Sequence, residues 1–252
     1  MASIKTTASS QHNSPFIKQL ASSNPTHRRQ ALSSLRTYLS HPARDLSNLE
    51  TLKLWKGLFY SMYMCDKPRN QQTLARDLAD LVDTLKSAEA KSSFLSGFWT
   101  IMAREWGNID YLRMDKYLYL VRCMVKKGFE VVAKEKDTVD AYNEMISGDG
   151  GALSPRDAKV PVGLRLHVLD VWVDELERVL DGEDGVVEKM MQPVKKLGKE
   201  SLVKSVRDRA KETVGDERLA DEGKRWRTEG EAADGKEDNA EEDRDNFGGF
   251  DD

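Results

Sequence analysis

Two cysteines and four histidines are few for 252 residues, and their placement removes several kinds of chemistry. Cys65 and Cys123 lie far apart in apolar helical sequence, without the paired spacing of a disulfide framework or a zinc site. They read as two buried thiols in a reducing compartment. Three of the histidines precede Asp45, so no Ser-His-Asp or Cys-His arrangement is recognisable. His167, Asp170 and Asp174 share one helical face at i, i+3 and i+7, yet no paired-His or Glu-x-x-His motif supplies further ligands. They read as hydrogen-bonded or solvated groups; neither a metal nor a cofactor is expected. Gly148-Asp149-Gly150-Gly151 has neither the Gly-Lys-Ser/Thr ending nor the preceding strand of a phosphate-binding loop, and reads as a flexible loop. Long apolar runs are also missing, so no membrane span is expected. Residues 1–13, rich in Ser, Thr and Gln, lack the apolar centre of a secretory signal. A soluble, intracellular protein without a small-molecule substrate follows as the expectation.

Strand-like alternation is absent as well, whereas apolar residues recur at helical spacing from Ser14 to Leu219. This predicts an all-α fold. A first helix is expected over Pro15–Ala21, hairpinned with a second from Pro25 to about Ser40, which Asn24 caps and Pro42 ends. Ala31, Leu32, Leu35 and Leu39 form its buried stripe, with His27, Arg28, Arg29 and Arg36 outside it. A third spans Leu49–Cys65, and Pro68 opens a fourth running through Leu74, Leu78, Leu81 and Leu85. The fifth, Ala88–Trp106, is expected to stop in a left-handed turn at Gly107 and Asn108, before a sixth over Ile109–Lys134. A short helix over Thr138–Ile146, a loop over Ser147–Lys159 and a helix from Pro161 to Leu180 follow. Gly182–Gly185 break the pattern before a last region, Val186–Val214, interrupted near Pro193 and Gly198. Such a succession predicts an irregular α-solenoid of helical hairpins, HEAT- or armadillo-like, over residues 14–219. Residues 1–13 are expected to be a disordered N-terminus.

Charge is unevenly placed. Residues 229–252 hold 11 acidic and 2 basic residues, leaving 37 basic against 32 acidic over residues 1–228. The body is mildly basic and residues 220–252 read as a disordered acidic tail. Lys224-Arg225-Trp226-Arg227 has the composition of a weak nuclear-import signal.

Three blocks carry a resemblance. Leu54-Trp55-Lys56-Gly57-Leu58-Phe59-Tyr60, ending in Asp66-Lys67-Pro68, resembles the first signature of the nucleolar ribosomal-RNA-processing protein 1 family of eukaryotes. Trp106-Gly107-Asn108-Ile109-Asp110-Tyr111-Leu112-Arg113-Met114-Asp115-Lys116-Tyr117, continuing to Leu120-Val121-Arg122, is similar to the second. Pro161-Val162-Gly163-Leu164-Arg165-Leu166-His167-Val168-Leu169-Asp170, with Glu175-Leu176 in step, is similar to the third. The resemblance implies a non-enzymatic assembly factor of the nucleus and nucleolus. Its implied partners are pre-ribosomal particle proteins and precursor ribosomal RNA, chiefly of the large subunit. It brings no catalytic residues.

The residues themselves offer three candidate binding sets. On the third helix Lys53, Lys56, Tyr60, Tyr63 and Lys67 fall on the one strip left by the apolar stripe of Leu52, Trp55, Phe59 and Met62. Ammonium groups interleaved with rings suit single-stranded RNA; equally, the tyrosines cap the next hairpin and the lysines are merely solvated. Arg113 and Lys116 either grip a phosphate or carboxylate or pair with Asp115 on the helix surface. Lys195, Lys196, Lys199, Lys204, Arg207 and Arg209, with Lys211, form either a basic RNA-contacting surface or a charged solvent face. The leading expectation is a scaffold docking on precursor ribosomal particles. The alternatives are a nuclease acting on precursor RNA and an armadillo-type peptide-binding adaptor.

Overall fold

A computed structural model describes residues 24–41, 46–180 and 184–219, together with 19, 20 and 22. The expected first helix lies mostly outside them, as do the glycine break at 182, residues 1–13, the basic cluster at 224–227 and the acidic tail. The chain divides into a compact unit, Met1–Asp216, and a second, Glu217–Asp252, of which a single 3-10 turn is described.

Every described element is helical, and the caps explain where several begin. Helix α1 (Pro25–Leu39) starts where the Asn24 side chain accepts from the Thr26 N–H and Pro25 presets the first turn. Ser47 and Glu50 form a reciprocal capping box on α2 (Asn48–Tyr63). Pro68 opens α3 (Pro68–Ala79), and Ser87 caps α4 (Ala88–Glu105). There follow α5 (Met114–Lys134), α6 (Val139–Ser147), α7 (Val162–Leu180), α8 (Asp184–Met190), α9 (Gln192–Glu200) and α10 (Lys204–Val214). No helix among the described residues is long and apolar enough to cross a membrane.

Packing follows a rule of alternation. Helix α4 lies against α2 and α6, and α6 against α9; in parallel, α5 lies against α3 and α7, and α7 against α10. Two layers of helices result, joined where α2 meets α3, α5 meets α6 and α9 meets α10. Aromatic side chains fill the contacts within each layer and one contact between the layers. Trp55 packs on Phe94 and Phe98 at ring separations of 4.7 and 5.0 Å, Phe59 on Tyr117 at 4.7 Å, and Phe129 on Trp172 at 4.8 Å. Gly97 permits a close approach of α4 to α2, since a methyl there would stand 2.6 Å from Thr51 Cγ2.

Several expectations are corrected. The fourth helix stops at Ala79 and tightens into a 3-10 turn, Asp80–Thr84, whose near-eclipsed i and i+3 positions turn Asp80 and Asp83 together onto Lys127. Gly107 and Asn108 lie in a 3-10 turn, not a left-handed one; among the described residues positive φ occurs at Gly150 and Lys67. The sixth helix of the sequence reading begins at Met114 instead of Ile109, because the Asp110 side chain takes the Leu112 N–H and forms a separate turn, Tyr111–Arg113. Arg28 lies inside the α1 stripe, donating to the Ser22 carbonyl at 2.7 Å. The region over 186–214 is interrupted at Met191, beside Pro193, which stands in the first turn of α9, and again at 201–203, just past Gly198, which sits within α9 where α10 packs.

The loop after α6 is packed, not flexible. Ala152 and Leu153 are fully buried, and Leu153 N–H donates to the Ile146 carbonyl at 2.9 Å. Gly150, at φ 79°, donates to Asp157 Oδ2, while the buried Arg165 guanidinium donates to the carbonyls of Ser154 and Asp157 at 2.9 and 2.6 Å. The Lys159 and Gly150 N–H groups hold the Asp157 carboxyl below its ordinary range, against the smaller effect of burial.

Candidate functional site

Helix α2 turns Thr51, Leu54, Trp55, Leu58, Phe59 and Met62 inward, which leaves Lys53, Lys56 and Tyr60 exposed one turn apart. Leu52, expected in the buried stripe, is only half-buried. Tyr63 follows, half-buried, with its ring 6.5 Å from that of Tyr60. Lys67 is exposed just before Pro68, at φ 67°. The strip and the turn before α5 meet here: the Arg113 guanidinium lies 4.6 Å over the Tyr63 ring, and Lys56 stands 3.6 Å from the buried Glu105 carboxylate. The fold thus joins the first two sets of candidate residues into one face.

Lys116 departs from its expected role. It is buried, and its ammonium donates to the carbonyls of Tyr63 and Cys65 at 2.7 and 2.9 Å, closing the open end of α2. Burial and the neighbouring Arg113 charge lower its pKa, and the two carbonyls hold the group in place. It is no surface anchor. Arg113 pairs with Asp110 at 3.5 Å, not with Asp115. Beneath the face, Tyr117 donates to the Phe59 carbonyl at 2.9 Å, and burial raises its pKa far above the ordinary phenol value.

The third set lies along α9 and α10, which pack on α6 and α7. Lys196, Lys199, Lys204 and Lys211 are exposed and Lys195 is half-buried. Two arginines of the set are engaged within the fold. Arg207 donates to the Ser201 carbonyl at 2.7 Å, and Arg209 pairs with Asp170 and Glu212 at 2.7 and 3.1 Å.

His167, Asp170 and Asp174, read as hydrogen-bonded or solvated groups, are each engaged separately: His167 Nε2 meets the Leu118 carbonyl at 2.8 Å, Asp170 holds Arg209, and Asp174 holds Arg122. Among the described residues no three His, Cys, Asp or Glu side chains are grouped to hold a metal ion. A charged cleft of about 310 Å³ between α3, α5 and α7 contains Arg76, Arg122, Lys126 and Arg178, but the buried Glu175 carboxylate accepts from both Arg122 and Arg178. Cys123 in that cleft is half-buried, and burial lifts its thiol to about 11; Cys65 is fully buried and raised for the same reason.

Sequence reasoning missed the turn itself. Tyr111 and Leu112, assigned to a continuous helix, stand almost wholly in solvent, with Met64 exposed on the neighbouring end of α2. Asp110, two residues before Leu112, carried the signal for that turn.

Human ribosomal RNA processing protein 1 homolog B is 36% identical over 171 residues, 65% of this chain and 22% of the human protein. The mouse homolog B is 37% identical over the same length, with 65% and 23% covered, and the Drosophila melanogaster homolog 31% over 175 residues, with 67% and 25% covered. The chain spans no more than about a quarter of the length of these three relatives. A match to the family described as "Nucleolar protein, Nop52" extends over residues 11–249, nearly the whole sequence. The chain belongs to the Nop52 family of nucleolar proteins.

Proposed function

We propose that this chain is a non-enzymatic scaffold of the nucleolus, an irregular α-solenoid that docks on precursor ribosomal particles and supports ribosomal RNA processing towards the large subunit. The names of its relatives support the process. The alternating two-layer packing supports the solenoid, since α2 to α7 bury their stripes against helices two places along, and α6 and α7 against α9 and α10. The observation that carries the docking role is the contrast between engaged and presented charge. Arg122, Lys127, Arg165 and Arg209 are tied to partners within the fold, whereas Lys53, Tyr60 and Lys67 stand exposed along α2 and just past its end, with the exposed Lys56 between them reaching only one carboxylate, Glu105, at 3.6 Å.

On this reading the α2 strip touches precursor RNA, ammonium to phosphate and ring to base, and Lys196, Lys199 and Lys204 add a second, purely electrostatic contact. Partner proteins bind elsewhere along the helical stack. The test is purification of the tagged full chain from nucleolar extract. Large-subunit precursor RNA and assembly proteins are expected to co-purify, with RNA recovery falling steeply as salt rises. Recovery without either overturns the proposal.

A further inference from the structure

Tyr111 and Leu112 are adjacent in sequence and leave 88% and 84% of their surfaces in water. Single exposed apolar residues are ordinary; this pair sits on a turn that Arg113 joins to Tyr63 at the end of α2, where Met64 is exposed as well. Asp110 Oδ1 accepts from the Leu112 N–H at 2.9 Å, and the Asp110 carbonyl accepts from the Arg113 N–H at 2.8 Å. Arg113 in turn bonds the Asp110 carboxylate and covers Tyr63, which fixes the turn to α2. The backbone is therefore ordered before any partner arrives, so binding loses little further freedom there.

We infer that the turn Asp110–Arg113 is a docking knob for a protein, whose apolar pocket receives Tyr111 and Leu112 and whose rim presents Lys or Arg to the exposed carboxylates of Asp115 and Asp66. The inference rests on the reading of the chain as a binding module and names a partner class for that face. Protein is favoured over RNA for two reasons. Leu112 has no π face on which a base can stack, and the exposed carboxylates of Asp66 and Asp115 disfavour phosphate, Asp110 being paired with Arg113. A basic rim is their complement. A rigid aromatic anchor seated in a pocket is the usual centre of a protein interface, and exposed Met64 adds apolar surface at the end of α2.

The experiment places the photocrosslinker p-benzoylphenylalanine at position 111 in the tagged full chain and irradiates nucleolar extract with and without nuclease. The knob predicts a nuclease-resistant crosslink to one protein, at a segment whose apolar residues are flanked by Lys or Arg. It also predicts that Tyr111→Ser with Leu112→Ser weakens binding of that purified protein about thirtyfold. Asp115→Lys weakens it as well, and the melting temperature stays unchanged. A crosslink to RNA, crosslinks scattered over unrelated proteins, or binding unchanged in the double variant overturns the inference. Co-purification of precursor RNA is scored separately on the parent chain. Its loss there sinks the proposed function, while its presence together with an unaffected double variant sinks the knob alone.

Discussion

The ammonium of Lys116 donates to the carbonyl of Tyr63 across 53 positions of sequence, at 2.7 Å, and so fastens the start of α5 to the end of α2. A second bond, to Cys65, completes the closure. Both halves of the candidate face, the α2 strip and the turn before α5, are held in register by this side chain together with Arg113 over Tyr63 and Tyr117 on the Phe59 carbonyl.

Replacing it tests that register. Lys116→Met keeps the volume of the stem and leaves two carbonyls facing a methyl group, and a loss of about 2–3 kcal/mol is expected from charge-assisted bonds at a buried site. Urea unfolding measures it. Hydrogen exchange in Tyr60–Cys65 should rise more than exchange in α7; an even rise across the chain would deny Lys116 its local role.

Lys127 is the corresponding fixture between α3 and α5. Its buried ammonium lies 2.8, 2.7 and 2.6 Å from Asp80, Asp83 and Glu130. Burial works against the charge, but the three carboxylates outweigh it and hold the pKa above the ordinary value. Lys127→Met should cost about 2 kcal/mol, less than a fully buried pair because the carboxylates can regain water. Asp83 is itself held below 3.8: burial pushes it up, and the bonds from Lys127 and Lys134 outweigh that. Its stabilising contribution is present above its unfolded pKa and is lost as pH falls through the lower, folded value. Acid unfolding of Lys127→Met should therefore show a shallower pH dependence at the acid end than the parent chain.

His167 supplies a dependence nearer neutrality. Burial lowers its pKa from 6.5, with the Leu118 carbonyl and Asp170 opposing in part. The unfolded chain then binds a proton more readily than the folded one, so stability is complete above pH 6.5 and declines as pH falls below it. Chemical denaturation between pH 8 and 5.5 should show the decline, and His167→Gln should flatten it. An unchanged slope in the variant would place the titration elsewhere.

Most of the helical succession was legible because its signals are local. Asn24-Pro25, Ser47 with Glu50, and Pro68 each begin a helix through bonds made within a few residues, and the apolar stripes of α2 and α5 point inward as their spacing requires. The departures are long-range. Nothing local tells that Arg165 reaches back to the Ser154 and Asp157 carbonyls and so packs a glycine-rich loop, or that Lys116 is drawn inward by a helix end more than fifty residues away. Of the candidate face, the exposure of Lys53, Lys56 and Tyr60 could be read from the helical stripe. Its junction with Arg113 could not, because it depends on α5 starting at Met114.

The central claim is that the exposed strip of α2 fastens a preformed helical stack to precursor ribosomal particles. Sedimentation of nucleolar extract in a sucrose gradient tests it most directly, comparing the tagged parent chain with Lys53→Glu, Lys56→Glu and Tyr60→Ala combined. The account predicts that the parent travels with the large precursors and that the triple variant, equally stable on heating, moves to the light fractions. A triple variant that still travels with the precursors, or a parent chain that stays at the top of the gradient, would contradict it.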